Sequence, residues 1–301
     1  MIYVSRKPFV QTPLPHLNVA PRKVIEKMRA VKFTPKEEKL FEKPQPIINE
    51  NNKNYDLVYI VKESDNNPDL KYSLRSICRF CSFRYVWIVG YKPKWVTGVN
   101  YIHTVQTGNK WSNSMLNYEA ACNCENISEN FVLMNDDFFA IRPILDWKED
   151  TNKCLGTMDQ KIAELDTKKQ LSRWQNGFIY AKELLEQLHC KTQYNYETHL
   201  PIIINRENFK KMLNTPIIKE FMQTTKVLHK RSIYKNMFPD IEIPPKKILD
   251  VKLELQKDLD SISLSENWVS VFDYVVDNCI KYPRINRFLR TLFSEKCKFE
   301  I

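Results

Sequence analysis

The sequence predicts an α/β protein built on a mostly parallel sheet flanked by helices. Three observations predict it. Four short runs, YDLVYIVK (55–62), RYVWIVG (84–90), NYIHTVQ (100–106) and NFVLMN (130–135), are rich in β-branched and aromatic residues. All but the shorter, alternating third are nearly continuous in apolarity, as strands covered on both faces are. Helical patterns separate them: after Pro68, residues Leu70, Leu74, Ile77, Cys78 and Cys81 share one face, and 112–125 forms a second helix with Ser112 as its N-cap. The resulting order of strand, helix, strand, strand, helix, strand belongs to α/β proteins.

The flanking segments differ. Residues 1–54 are rich in Pro and Lys and poor in regular pattern, apart from a helix around 21–31 opened by Pro21. They read as an extended basic segment that wraps the domain or reaches a partner. The C-terminal part reads as mainly helical, with helices at 178–189, 206–213 and 216–228, a strand at 247–255, and a helix at 269–280 ended by Tyr282-Pro283. Residues 55–301 then form one domain, divided into 55–145 and 146–301.

A chain of 301 residues can bury a sizeable core, and 43% hydrophobic with 27% charged residues is ordinary for a globular protein. No run approaches the roughly 20 apolar residues of a membrane helix, and the N-terminus shows no signal-peptide pattern, so a cytoplasmic protein is expected. The formal charge of +10 fits a polyanionic partner such as nucleic acid, anionic lipid or a phosphorylated donor, and equally a Lys-rich solvated surface. Eight cysteines include the pairs Cys78/Cys81 and Cys122/Cys124. Both pairs fall in amphipathic helices, so buried reduced thiols are expected in preference to zinc knuckles or disulfides.

The chemistry concentrates in FVLMNDDFF (131–139). Asn135, Asp136 and Asp137 end a buried strand, and ligands of open α/β sheets bind outside such carboxyl ends. Adjacent carboxylates repel and are costly to desolvate, a penalty that a hard cation, Mg²⁺ or Mn²⁺, removes while also meeting substrate phosphates. The bland reading is a β-turn with solvated Asp. Neither G-x-x-x-x-G-K-[ST] nor G-x-G-x-x-G occurs, which disfavours P-loop and dinucleotide redox chemistry and leaves a phosphate clamp of side chains and metal.

NPDLKYSLRSI (67–77), DLVYIVKESD (56–65), NKWSNSMLNYEAA (109–121), FVLMNDDFFAIRPI (131–144) and ETHLPIIINRENFKKML (197–213) resemble, in order and spacing, segments of the Stealth family of sugar-phosphate transferases. SENWVSVFDYVVDNCIKYPRINRFL (265–289) resembles the tail of small phage and bacterial glycosyltransferases. The opening strand departs from the Stealth pattern at Ile60, Val61, Lys62 and Glu63. The resemblance implies the GT-A nucleotide-sugar fold, with 55–145 as donor half and 146–301 as acceptor half. It implies Asp136, Asp137 and His199 as metal ligands, Asn135 as a neutral replacement for a first carboxylate, and Val61, Lys62, Arg75 and Asn113 at the donor. Asp137, His199 and Arg75 would carry catalysis, Arg75 through the donor diphosphate. Asn117 is a further donor contact, and Glu63, Asp166 and Glu197 are candidate bases. Trp174, Gln175 and Asn176 would form a polar-aromatic loop, its Trp a stacking face. Lys230, Arg231 and Tyr234 lie on an exposed helix or loop, or close over the diphosphate.

The expected activity is metal-dependent transfer of a sugar from a nucleoside-diphosphate sugar, a UDP-sugar being favoured, to an acceptor hydroxyl. A hydroxymethylated base in phage DNA is one acceptor, placing the protein in the host cytoplasm; such a base must leave the stack. A Stealth-like sugar-phosphate transferase acting on a polysaccharide, or a non-catalytic nucleic-acid-binding protein, are the alternatives.

Overall fold

The computed structural model describes residues 50–224, 226–240, 243–253, 267–271, 275–276, 278–279 and 281–301, together with 26, 31–33, 35, 38 and 41. After a 3₁₀ turn at Glu50–Asn54, the chain runs β1 (Asp56–Val61), α1 (Pro68–Phe80), β2 (Val86–Gly90), β3 (Asn100–His103), α2 (Lys110–Asn123), β4 (Asn130–Asn135) and β5 (Phe138–Ala140). There follow α3 (Trp147–Thr151), β6 (Lys153–Cys154), α4 (Met158–Asp166), α5 (Arg173–Gln187), β7 (Ile202–Asn205), α6 (Arg206–Asn214) and α7 (Pro216–Met222). The last elements are α8 (Lys230–Met237), β8 (Lys246–Lys247), β9 (Lys252–Leu253), β10 (Trp268–Val271) and α9 (Pro283–Leu292).

The central sheet has the order β3-β2-β1-β4-β7. Its first four strands are parallel and β7 is antiparallel to β4. Alternation along the strands feeds two cores. Leu57, Tyr59 and Val61 of β1, with Val132 and Met134 of β4, join one core. Val58, Phe131 and Leu133 face the other, against helices α2, α5, α6 and α8. The mostly parallel sheet with helices on its faces is the architecture expected from sequence. A second sheet, β5-β10-β9, lies in the first core. The chain enters it directly from β4, so Asp136 and Asp137 form the corner between two sheets.

The α1 helix links these layers. Asn67 caps it, its side chain accepting from the Leu70 amide, and Pro68 takes the first turn, where no donor is needed. Ser73 donates to the Phe138 carbonyl and shares a hydrogen bond with Tyr59, while Ser76 accepts from the Ala140 amide. Small polar residues on an otherwise apolar helix face thus satisfy the edge of β5.

Several elements differ from the sequence reading. The α2 cap is Asn109, whose side chain accepts from Trp111 and Ser112, so Ser112 is inside the helix. Trp174, Gln175 and Asn176 occupy the first turn of α5 rather than a loop, because Ser172 and Gln175 form a capping box. The helix expected over 216–228 stops at Met222. The helix expected from 269 begins instead as β10, since Trp268–Val271 is wholly buried and pairs with β5 and β9. The strand expected over 247–255 is broken into the short β8 and β9, its last residues lying outside the described ones. Most of the helix near 21–31 is likewise outside them. Phe41, from the N-terminal segment, packs on Phe288 at 5.8 Å between ring centroids. All eight cysteines are free; Cys122, Cys154 and Cys279 are buried as expected, whereas Cys78 is exposed. Among the described residues no helix is long and apolar enough to cross a membrane.

Asp56, at the start of β1, is fully buried and ties the sheet's amino end together. It accepts from Arg84 at 2.6 and 2.8 Å, from Trp87 Nε1 at 3.1 Å, and from the Tyr85 and Ser128 amides. Removing it strands several donors at once. Asp56→Ala is expected to cost about 3 kcal/mol of unfolding free energy in urea; an unchanged midpoint and slope would reject this role.

Candidate active site

The position of the cleft follows from topology. From β1 the chain crosses through α1 to β2 on one side, while β4 lies on the other side of β1. Connections that leave in opposite directions open a crevice at the carboxyl ends of the two strands. There the structure has a cleft of about 710 Å³, within the size range of small-molecule sites.

One wall is the end of β1, with Ile60, Lys62 and Glu63, beside Asn135, Asp136 and Asp137 at the end of β4. A second is the start of α2, with Lys110, Asn113, Ser114 and Asn117. Gln106, Trp174, His199 and Lys252 complete the lining. The strand register sets Ile60 opposite Asn135, which brings the first two walls together.

Gly90 permits the junction of β1 with α2. Its φ is +113°, and a Cβ there would meet the Val61 carbonyl at 2.2 Å, Gln106 Nε2 at 2.6 Å and Asn117 Nδ2 at 2.9 Å. Gln106 donates to the Val61 carbonyl at 2.8 Å, and Thr104 donates to Asn117. Without a side chain at position 90, these amides pack onto the strand end and face the cleft.

The two carboxylates are held differently. Asn67 Nδ2 donates to Asp136 Oδ2 at 2.7 Å, so one residue both caps α1 and fixes Asp136. Asp137, only 6% exposed, accepts on Oδ2 from Ser270 Oγ at 2.9 Å and pairs with Lys252 Nζ at 3.3 Å. Burial of Phe138 and Phe139 just beyond anchors the corner, at roughly 2–3 kcal/mol each.

His199 lies in the segment before β7. Its Nδ1 bonds Asp250 Oδ1 at 2.8 Å and Oδ2 at 2.9 Å, which leaves Nε2 as the nitrogen for a ligand in the cleft. Burial alone would raise the Asp250 carboxyl, but the hydrogen bond and charge of His199 hold it below the usual range. The segment itself is clamped by α8. Arg231 donates to the carbonyls of Thr198 and Leu200, one on each side of His199. Glu197 accepts from the Ser232 amide and hydroxyl. His229, fully buried, lies 3.6 Å from Glu197 and bonds the Trp174 carbonyl at 3.0 Å. Gly177 lets α5 approach, since a Cβ there would meet His229 Nε2 at 2.7 Å.

Of the residues singled out from sequence, Lys62, Asn113, Asn135, Asp136, Asp137 and His199 line the cleft, as do Glu63, Asn117 and Trp174. Others do not. Arg75 directs Nε and Nη2 to Glu300, at 2.6 and 2.7 Å, and Nη1 to the Phe293 carbonyl, so its fork is engaged with the C-terminal segment. Val61 is core, its carbonyl bound to Gln106 and the Tyr91 amide. Asp166 is exposed at the end of α4, and Glu197 is the buried anchor just described. Arg231 and Tyr234 are buried rather than on an exposed helix, Tyr234 accepting from the Asn205 amide, and α8 lies beneath the site without lining the cleft. Sequence reasoning passed over Asp250 and Lys252. Their spacing of two was the available signal, since strand residues i and i+2 share a face.

A divalent cation needs hard ligands that converge on one point. Among the described residues, no three His, Cys, Asp or Glu side chains gather as ligands. The Asp137 oxygen that would meet a metal is bound by a hydroxyl and an ammonium. That ammonium supplies positive charge beside the carboxylate. As arranged here, Asp137 already faces a cation of the chain's own, Lys252.

No family model matches the chain, and no curated protein sequence does. Among solved structures, the apo form of the glycosyltransferase GlyE of Streptococcus pneumoniae is similar at 10% identity and a TM-score of 0.36, over 80% of this chain and 63% of that one. A second GlyE structure is similar at 10% identity and 0.38, with the same coverage. The chain therefore spans less than two thirds of the length of these proteins.

The Glu197 anchor gives a pH prediction. Its burial would raise the carboxyl, but the charges of His229 and Arg231 and the Ser232 amide override that and lower it from 4.5 to about 2. A depressed value means stabilisation present above the unfolded pKa and lost as pH falls from about 4.5 to about 2. Wild-type protein should lose on the order of 3 kcal/mol through this group over that window, and Glu197→Gln should lack that part of the slope. Parallel urea-stability curves for the two proteins would refute the assignment.

Proposed function

We propose that the chain is a glycosyltransferase that moves a sugar from a nucleoside-diphosphate sugar to an acceptor hydroxyl in this cleft. The observation that carries the reading is the make-up of one cavity at the sheet's switch point. It combines amides, carboxylates, three lysines, one oriented imidazole and an exposed indole. Amides and carboxylates are the partners of sugar and ribose hydroxyls, lysines those of phosphates, and an indole face suits a base or sugar ring. Such a mixture matches a ligand that is part sugar, part aromatic and part phosphate.

His199 is the base of this reading. Asp250 fixes its tautomer, and Nε2 takes the acceptor's proton as the acceptor oxygen attacks the anomeric carbon. The bond from that carbon to the diphosphate oxygen breaks, and the nucleoside diphosphate leaves with the bonding pair. Lys62, Lys110 and Lys252 offer the positive charge that the leaving group requires. No step of this scheme uses a divalent cation.

The acceptor is proposed from charge. The chain carries +10, and Lys110 and Arg173 sit over the Trp111 ring at 5.0 and 4.3 Å beside the cleft. A basic, aromatic border favours an anionic acceptor, with a hydroxymethylated base in DNA as the leading candidate and an anionic polysaccharide as the rival. Sugar-phosphate transfer, the reaction of the proteins resembled in sequence, is distinguished by its product: a nucleoside monophosphate leaves instead of a diphosphate.

The test is a panel of nucleoside-diphosphate sugars scored by thermal shift and nucleotide release, with hydroxymethylated DNA and anionic polysaccharide as acceptors. At least one donor should stabilise the protein and be turned over to nucleoside diphosphate. His199→Gln should lower kcat by about 10²- to 10⁴-fold with donor binding retained. If no donor binds or turns over, the transferase reading fails; binding of DNA alone would favour a non-catalytic nucleic-acid protein.

A further inference from the structure

The short β9 strand and the residue pair leading into it reach both chemical groups of the cleft. Asp250 and Lys252 are two residues apart and lie on one side of the chain, Asp250 on His199 and Lys252 on Asp137. The Lys252 amide also bonds Asp250 Oδ1 at 3.3 Å, which makes the pair one local unit. Resting on the transferase reading, we propose that Lys252 is the built-in cation of the donor site. It binds the diphosphate of the nucleoside-diphosphate sugar, and donor binding therefore needs no divalent metal.

The surroundings of the pair support this. The Lys252 and Asp137 side chains are 14% and 9% exposed, so the pair is largely withdrawn from water where its charge is weakly screened. Its 3.3 Å separation is longer than the usual charge-assisted hydrogen bond of about 2.7–2.9 Å. An ammonium has three N–H donors, so a phosphate oxygen can join Asp137 among its partners or exchange with another of them. A divalent ion at Asp137 would face the ammonium at close range, and the two positive charges exclude each other. Ser270 holds the same Asp137 oxygen at 2.9 Å, so the carboxylate presents Lys252 to the cleft as a fixed charge. The roles normally divided between an acidic motif and a metal are here divided between Asp137 and Lys252.

The experiment is titration of the full chain with UDP, in excess EDTA and in Mn²⁺, for wild type, Lys252→Ala and Lys252→Met. Folding of each variant is checked by circular dichroism and thermal unfolding, Lys252→Met retaining the side-chain length should Lys252→Ala fold poorly. Wild type is expected to bind UDP equally, within about twofold, in EDTA and in Mn²⁺. Either variant should bind about 10- to 100-fold more weakly in EDTA, as loss of one charged phosphate contact implies. Mn²⁺ should strengthen binding in the variants, because the vacated Asp137 can then accept a metal, and not in wild type. Binding of UDP to wild type only with Mn²⁺, or equal affinity in wild type and folded variants, overturns the Lys252 proposal while leaving the transferase reading intact. Absence of UDP binding under both conditions, together with a silent donor panel, removes both.

Discussion

Two adjacent carboxylates at the end of a buried strand are the constraint around which the cleft is organised. Neighbouring like charges repel, and burial adds a desolvation cost. Each carboxylate therefore needs its own partner from a different part of the chain. Asp136 takes Asn67, the cap of the first helix, and Asp137 takes Ser270 and Lys252 from the second sheet. Meeting these demands draws α1, β4, β9 and β10 to one point. The apolar neighbours Phe138 and Phe139 keep the corner from swinging out into water.

A second, independent clamp sets the opposite wall. The segment bearing His199 has no regular structure of its own, yet its backbone is fixed on both sides of the imidazole by Arg231 and below by Glu197. A buried Arg held by carbonyls, with a buried Glu and His nearby, is expensive in isolation and stable only when mutually satisfied. That arrangement makes α8 a rigid support for a loop that carries chemistry. The Asp250 contact then fixes the ring's tautomer. His199 is thus oriented by residues 32 and 51 positions away in sequence, as the separations of 31 and 33 for the two Arg231 bonds and of 51 for Asp250 record.

The sheet order explains why these two clamps face one another. With β1 central and its neighbours reached by crossovers on opposite sides, the carboxyl ends of β1 and β4 diverge and leave a crevice. Gly90 and the start of α2 close its flank with amides, while Trp174 stands at the rim on the first turn of α5. The site is therefore assembled from strand ends and helix starts, which are the positions where backbone direction is set by the sheet.

Much of this was legible in the chain itself. The four strands of the first half, the helix opened by Pro68, and the acidic corner after β4 all follow from local patterns: continuous apolarity, helical spacing, and charge abutting a hydrophobic run. Local pattern also singled out Asn135, Asp136 and Asp137, while Lys62, Asn113 and His199 came from the resemblance to known transferase segments. It could not assign partners. Arg75 has the shape of a phosphate ligand, but only the fold reveals that Glu300 occupies its fork. The helix expected over 269–280 gives way at its start to a strand, because Trp268–Val271 pairs with β5 and β9. Lys252 and Asp250 look like ordinary surface charges until the second sheet brings them to Asp137 and His199. The sequence by itself determined the elements and the place where charge meets apolar strand, because those depend on neighbours a few residues away. The tertiary structure alone decided which cation faces Asp137 and which carboxylate orients His199, because a charge's role is set by the groups within a few ångströms, and here those come from more than 50 and more than 100 residues along the chain.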